Sequence, residues 1–226
     1  MNRPVRVAVF ASGGGTNLQA LLDHFNGAAE SLARVELVVA SRHGIGASSR
    51  AAAAGVPNLV IEAGGRAPEA VGASIMDALD EHDIDLVALA GYLKLVPTNV
   101  VERFRGSILN IHPALLPAFG GWGMYGARVH EAVLDSGARV SGATVHHVDE
   151  RYDEGGIVAQ WPVPVLPGDT PGRLASRVLR VEHLLYPLGI EMVVRGEAAG
   201  RPEAERAFEL SSENAPTIES LRQLLA

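Results

Sequence analysis

The 226-residue sequence contains no cysteine. That removes disulfides, thiolate metal sites and a cysteine nucleophile from consideration, and it leaves the compartment open. Positive charge is scarce as well. Nineteen Lys and Arg stand against 26 Asp and Glu, a formal net charge of −7. No basic run offers a patch for nucleic acid, so no nucleic-acid partner is expected. Long hydrophobic runs are missing. The apolar run near the start, Val7–Ala11, is too short for a signal-peptide core and far too short to span a bilayer. The expectation is a cytoplasmic protein with no membrane partner. Three catalytic signatures are also absent. No Gly-Lys-Ser/Thr follows the early glycines, no His-Glu-x-x-His occurs, and Ser12 is not in a Gly-x-Ser-x-Gly elbow.

What remains has the balance of an ordinary globular protein, 47% hydrophobic and 20% charged. The length fits one domain, or two closely packed halves sharing a core. Short β-branched runs alternate with helical patterns in the first half. Strands are predicted at Val5–Ala11, Val35–Ala40, Asn58–Ile61 and Leu86–Leu89, and helices at Asn17–Phe25, Ala47–Ala54 and Ala67–His82. Such alternation implies parallel pairing. The fold class is therefore α/β: a doubly wound, mostly parallel sheet with helices on both faces, Rossmann-like in its N-terminal half. The second half reads as a strand at Ser107–Ile111 and a Gly-rich stretch from Gly120 to Gly126. A helix follows near Val129–Leu134, then strands at Ala143–Val148 and Ile157–Val165 joined by an acidic loop. A long helix, Arg173–Val194, is expected to turn Leu174, Val178, Leu185 and Leu188 inward. The tail ends in a short helical pattern, Thr217–Leu225.

The first strand runs straight into Ser12-Gly13-Gly14-Gly15-Thr16-Asn17-Leu18. Glycines let backbone N–H groups approach an anion, and a helix start adds unpaired donors. Thr16 or Asn17 could cap the helix or donate to a phosphate oxygen. A phosphate site is favoured over a plain tight turn. A dinucleotide site is disfavoured, because Leu18 replaces the usual third glycine and the second strand ends in Ser41-Arg42 rather than an acidic residue. Arg42 alone would still suit a 2′-phosphate.

The segment Asn110-Ile111-His112-Pro113 closes a strand. Residues i and i+2 share a face, so Asn110 and His112 point together at the rim where such sheets bind ligands. An amide beside an imidazole can hold the oxyanion that forms when an amine attacks a carbonyl. A nearby carboxylate would favour the charged imidazole. Asp153, beside Gly155-Gly156, is the candidate, with Asp149, Glu150 and Glu154 as competitors on composition alone. His146-His147 with Asp149 suggests a metal cluster, but adjacent strand residues face opposite ways, so no metal is expected.

Taken in order, four segments carry a resemblance: Ser12–Leu18; Asn110-Ile111-His112-Pro113-Ala114-Leu115-Leu116-Pro117; Val145–Glu150 through Asp153; and Glu182-His183-Leu184-Leu185-Tyr186-Pro187. From about Val5 to about Val194 the sequence resembles the glycinamide ribonucleotide formyltransferases, folate-dependent enzymes of purine biosynthesis. The resemblance implies formyl transfer from 10-formyltetrahydrofolate, as co-substrate, to the amine of glycinamide ribonucleotide, without a metal. It implies Asn110, His112 and Asp153 as the catalytic trio. Gly14, Gly15, Thr16 and Asn17 would hold the ribonucleotide phosphate, and Glu182 would contact the same substrate. Folate would lie against Tyr92, Leu93, Lys94, Leu95 and Val96, with Asn110, His147, Val148, Asp149, Glu150 and Asp153 over its head. The halves would divide as about 1–105 for phosphate and about 106–226 for folate and catalysis, within one formyltransferase domain.

Three departures stand out: Lys94 where arginine is common, Gly156 where proline is common, and a longer stretch at Phe119–Arg128. A formyltetrahydrofolate hydrolase or another superfamily formyltransferase is the nearest alternative. A non-catalytic nucleotide-binding module would leave the trio unexplained. The oligomeric state stays open, with a homodimer as one option.

Overall fold

The computed structural model describes residues 3–28 and 30–196. The expected Thr217–Leu225 helix lies outside them. Seven strands form one sheet in the order β3-β2-β1-β4-β5-β6-β7. They are β1 (Val5–Ala11), β2 (Ala33–Ala40), β3 (Asn58–Val60), β4 (Leu86–Leu89), β5 (Ile108–His112), β6 (Val140–His147) and β7 (Ile157–Pro164). Strands β1 to β5 pair in parallel, and β6 and β7 are antiparallel. The doubly wound reading therefore holds, with an antiparallel edge added by the second half.

Alternation along the strands divides the core. Val7, Val9 and Ala11 of β1, with Leu109 and Ile111 of β5, pack in one layer. That layer takes in α1 (Thr16–Leu21), α2 (Gly46–Ala53), α5 (Ala127–Asp135) and α6 (Pro171–Val194). Ala8, Phe10 and Ile108 face the other layer, built on α3 (Pro68–Glu81) and α4 (Thr98–Arg103). Helices thus cover both faces, as parallel strands buried on two sides require.

Three local features depart from the periodicity. The first helix is α only to Leu21 and continues as a π turn over Leu22–Asn26. The α4 helix was not expected, because its six residues are too short for a periodic signal. Leu188 does not face inward but is 50% exposed. The buried face of α6 includes Glu182, Leu185, Tyr186, Gly189 and Ile190, and Leu188 lies about 100° around the helix from Gly189. A polar and a small residue hold the inward positions that an apolar count would give to leucine.

The long helix starts where its sequence says it should. Thr170 Oγ1 accepts from Arg173 N at 3.3 Å, and Pro171 occupies the first turn. Farther along, the buried Tyr186 hydroxyl lies 3.0 Å from both the Leu89 and the Leu109 carbonyl oxygens. Its single proton is shared between the last residue of β4 and the second residue of β5. Burial raises the phenol's pKa well above the ordinary value, so it stays a donor.

Candidate active site

The strand order reverses between β1 and β4, and ligands of open α/β sheets bind beyond the carboxyl ends at such a point. A cavity of about 510 Å³ opens there. Its walls come from the segment after β4, the end of β5, the glycine-rich stretch, the acidic loop after β6, and one face of α6.

The segment after β4 is tied down by two serines. Ser12 N donates to Gly91 O at 3.1 Å. The Ser41 hydroxyl donates to Ser12 Oγ at 2.8 Å, and Ser12 Oγ accepts from Leu93 N at 2.9 Å. Both serines are 5% exposed, so the chain shapes this wall through a buried relay. Tyr92 packs edge-on against Phe10, and burial pushes its phenol up to about 12. Tyr92, Leu93, Lys94, Leu95 and Val96 all line the cavity. Leu93 and Leu95 are more than half exposed, apolar surface left bare beside polar chemistry.

At the end of β5, Asn110 and His112 share the face of Ile108, as alternation requires. Strand β6 runs antiparallel beside it, with His146 opposite Asn110 and Thr144 opposite His112. The Asn110 amide donates to His146 Nε2 at 3.0 Å, while His146 Nδ1 donates to its neighbour's carbonyl, His147 O, at 2.8 Å. Thr144 Oγ1 donates to Ala114 O at 2.6 Å and accepts from Leu116 N at 3.1 Å. Gln160 adds bonds to Thr144 Oγ1 and Leu116 O. The turn after Pro113 is thereby pinned to the antiparallel strands.

Asp153 reaches in from the acidic loop. Its carboxylate lies 3.6 Å from His112 Nδ1 and 3.5 Å from His146 Nε2, and it accepts from Gly121 N at 2.9 Å. Burial alone would raise its pKa. His146, His112 and the Gly121 amide more than offset that, and the net shift is downward. His112 is 3% exposed, and its Nε2 donates to Phe119 O at 2.9 Å. The carboxylate stands where it was expected, but its effect is outweighed. Burial lowers the His112 pKa more than Asp153 and the Phe119 carbonyl raise it, so the resting imidazole is pushed toward neutral rather than held charged. Asp153 and Phe119 both have positive φ, 56° and 57°. Such backbone is costly for residues other than glycine and concentrates at functional sites. Here both strained residues touch His112.

Asn17 and Glu182 also line the cavity, and the Asn17 amide donates to Glu182 Oε2 at 2.6 Å. Glu182 is 7% exposed, and burial raises its pKa against the opposing bond from Asn17. Asn17 Oδ1 is buried with no partner, an acceptor waiting for a donor.

Several expected residues lie elsewhere. Gly14, Gly15 and Thr16 do not line this cavity, and Thr16 lines a separate groove with Arg50 and His183. Gly15 has φ +74, and a side chain there would meet Ala47 Cα at 2.7 Å, so the packing of α1 against α2 requires glycine at this position. Gly13 and Gly14 face open space. Val148 and Asp149 line the cavity, but His147 and Glu150 do not. Turning His146 inward turns His147 away, and exposed Glu150 pairs with Arg105. Gly155 approaches protein rather than ligand, since a Cβ there would strike His147 O.

Sequence reading missed His146 as part of the trio's surroundings, although the cross-strand register carries it there. It also missed His130, Thr144 and Gln160, which have no local signature. The stretch Gly121–Gly126 lines the cavity except for Trp122, which is 84% exposed and packs edge-on against Tyr152 of the acidic loop. Among the described residues, no group of three or more His, Asp or Glu is placed to hold a metal ion, and no helix is long and apolar enough to cross a membrane.

An amide, two imidazoles and a carboxylate stand at the switch point of a doubly wound sheet beside an apolar wall, groups of the kind that can hold a developing oxyanion and move a proton. The chain belongs to the formyl transferase family, whose model matches residues 5–190. Among its relatives, the chloroplastic phosphoribosylglycinamide formyltransferase of Arabidopsis thaliana is 46% identical over 186 residues, covering 81% of this chain and 63% of that protein. The chain thus spans somewhat less than two thirds of this plant relative. Solved structures agree. Glycinamide ribonucleotide transformylase 1 from Symbiobacterium toebii superposes with a TM-score of 0.80 at 39% identity, covering 87% of this chain and 90% of that one. Phosphoribosylglycinamide formyltransferase from Brucella melitensis gives 0.77 at 40%, covering 88% and 98%.

Proposed function

We propose that this protein transfers the formyl group of 10-formyltetrahydrofolate to the amine of glycinamide ribonucleotide, giving formylglycinamide ribonucleotide and tetrahydrofolate in purine (IMP) biosynthesis. The observation that carries this is the convergence of Asn110, His112 and Asp153 on one cavity that Asn17 and Glu182 also line. Polar groups from a strand rim and from two helices thus face the same space.

The residues present suit both molecules. Leu93 and Leu95 offer bare apolar surface to a flat ring, and the Tyr92–Val96 backbone lies along the same wall. Asn17 Oδ1 lacks a donor that a sugar hydroxyl would supply. The open Gly13–Gly14 backbone is left for the phosphate. On this reading the first half, about 1–105, holds phosphate, and the second half carries catalysis.

The formyl carbon is the electrophile that the folate brings. The amine adds to it, a C–N bond forms, and negative charge gathers on the formyl oxygen. One Asn110 N–H is taken by His146, and the other is left to hold that oxygen. Negative charge arriving beside His112 raises its proton affinity. The proton leaving the amine is then accepted on the His112–Asp153 pair, where Nδ1 is the ring nitrogen without a hydrogen bond. It passes to the departing folate nitrogen as the second C–N bond breaks. A neutral resting imidazole suits a group that must first accept a proton.

The test is direct. The purified chain, both substrates and a chelator are mixed, and loss of formyl-folate is followed with and without the amine. Turnover that requires the amine is expected. Turnover with water alone would make the protein a hydrolase, and none in either case would refute the reading.

A further inference from the structure

One cavity side chain has no role in the scheme above. His130 lies on α5, is 4% exposed, and lines the cavity together with Met124, Tyr125 and Gly126. Its Nδ1 is buried with no hydrogen-bond partner. Among the described residues its Nε2 bonds to no protein group, and the ring is part of the cavity lining. Burial lowers the ring's pKa, and the neighbouring His112 acts the same way, which keeps the ring neutral. A neutral imidazole carries one N–H. An orphaned buried N–H is rarer than an under-used buried acceptor. The proton therefore belongs on Nε2, and Nδ1 keeps its lone pair.

A neutral donor without a protein acceptor suits a neutral oxygen better than a phosphate, for which a cation is the stronger partner. His130 lines the same cavity as Asn110, His112 and Asp153, where the nucleophilic amine must lie. In an aminoacyl amide, the oxygen nearest the amine is the carboxamide carbonyl. We propose that His130 is a binding residue for the amine substrate, its Nε2–H donating to the carboxamide oxygen next to the nucleophile. This rests on the formyl-transfer reading and adds a specificity element to it: the site selects an α-amino amide over a simple amine.

Two variants test it. His130→Leu removes the donor, and His130→Gln returns an N–H at about the reach of Nε2. In the Leu variant the KM for the ribonucleotide should rise by about 10-fold, the worth of one hydrogen bond, with the KM for formyl-folate unchanged. The Gln variant should recover most of that loss. The melting temperature of the Leu variant should hold or rise, because an unpartnered buried nitrogen is replaced by carbon. An unchanged ribonucleotide KM in the Leu variant would overturn the inference. So would a Gln variant as impaired as the Leu one, or a parallel rise in both KM values, each of which marks a packing role. Calorimetric titration of the ribonucleotide into wild type and His130→Leu needs no turnover. Equal affinities there overturn the inference, whereas absent turnover in wild type strikes only the formyl-transfer reading.

Discussion

Replacing Asp153 by asparagine isolates the charge at the centre of the site. The Gly121 N–H, donated to the carboxylate at 2.9 Å, keeps an acceptor in the amide oxygen, so the loop should hold its shape. What disappears is a negative charge 3.6 Å from His112 Nδ1 and 3.5 Å from His146 Nε2. At an effective dielectric of about 20, a charge pair at that separation interacts by about 4–5 kcal/mol. Only the part felt by protonated His112 in the transition state counts toward rate. Each 1.36 kcal/mol is about tenfold, so the ceiling is roughly 10³-fold. Loss of an oxyanion donor, as in Asn110→Ala, sets a comparison of about 10²-fold. Asp153→Asn should therefore lower kcat by about 10² to 10³, with both KM values within a few-fold. Steady-state formyl transfer with each substrate varied gives the numbers, and far-ultraviolet circular dichroism checks the fold. A variant within threefold of wild-type kcat would refute the idea that this carboxylate supports a proton on His112.

Four further expectations follow from the same geometry. Gly14→Ala should leave stability within about 0.5 kcal/mol, since its side chain meets open space, yet raise the ribonucleotide KM; Gly15→Ala should instead cost about 2 kcal/mol or more in denaturant melts through its positive φ and the Ala47 contact. Tyr186→Phe leaves the Leu89 and Leu109 carbonyls without their side-chain donor and should cost about 1–3 kcal/mol, read as a fall of about 2–4 °C in Tm per kcal/mol. Arg177 holds Asp169 down to about 2 through a paired hydrogen bond. A depressed carboxyl stabilises the fold above its unfolded pKa and loses that contribution as pH falls, so acid titration from the ordinary 3.8 toward 2 should show a loss of stability that Asp169→Asn reduces. Finally, with Trp161→Phe to silence the other tryptophan, Trp122 emission should change on saturation with ribonucleotide; an unchanged spectrum would mean that the glycine-rich wall is static.

The strands and most helices could be read from the sequence because each has its own pattern: β-branched runs for β1 and β2, a short apolar run for β4, and apolar spacing for α3 and much of α6. The pairing of Asn110 with His112 was legible for the same reason, since two-residue alternation fixes a shared face. What lay beyond reading depends on contacts between distant elements. His146 enters only through the register of β5 against β6. The charge state of His112 depends on burial by surrounding layers, which a motif does not encode, so a carboxylate in the right place suggested the wrong direction. The sequence offered Gly15 as part of a ligand cradle, but the contact with Ala47, thirty-two residues away, that also demands a glycine there could not be read from it. His130 sits in an unremarkable helical pattern, and only the packing of α5 shows that its ring is enclosed.

The shared hydroxyl of Tyr186 has a kinetic meaning. It fastens α6 to β4 and β5, and Glu182 stands one turn earlier on the same helix. The Glu182 carboxyl and the Asn110–His112 strand, which line one cavity, are thereby referred to a single buried atom. When two bound molecules react, each presents itself to the other at an effective concentration that can reach about 10⁵–10⁸ M if the attacking geometry is held, and a misplacement of about 1 Å can cost roughly 10²-fold. A helix free to creep along the sheet would dilute the reactants without loosening either one. The cost of disturbing this tyrosine should therefore appear in turnover before it appears in either affinity, although no substrate comes near it.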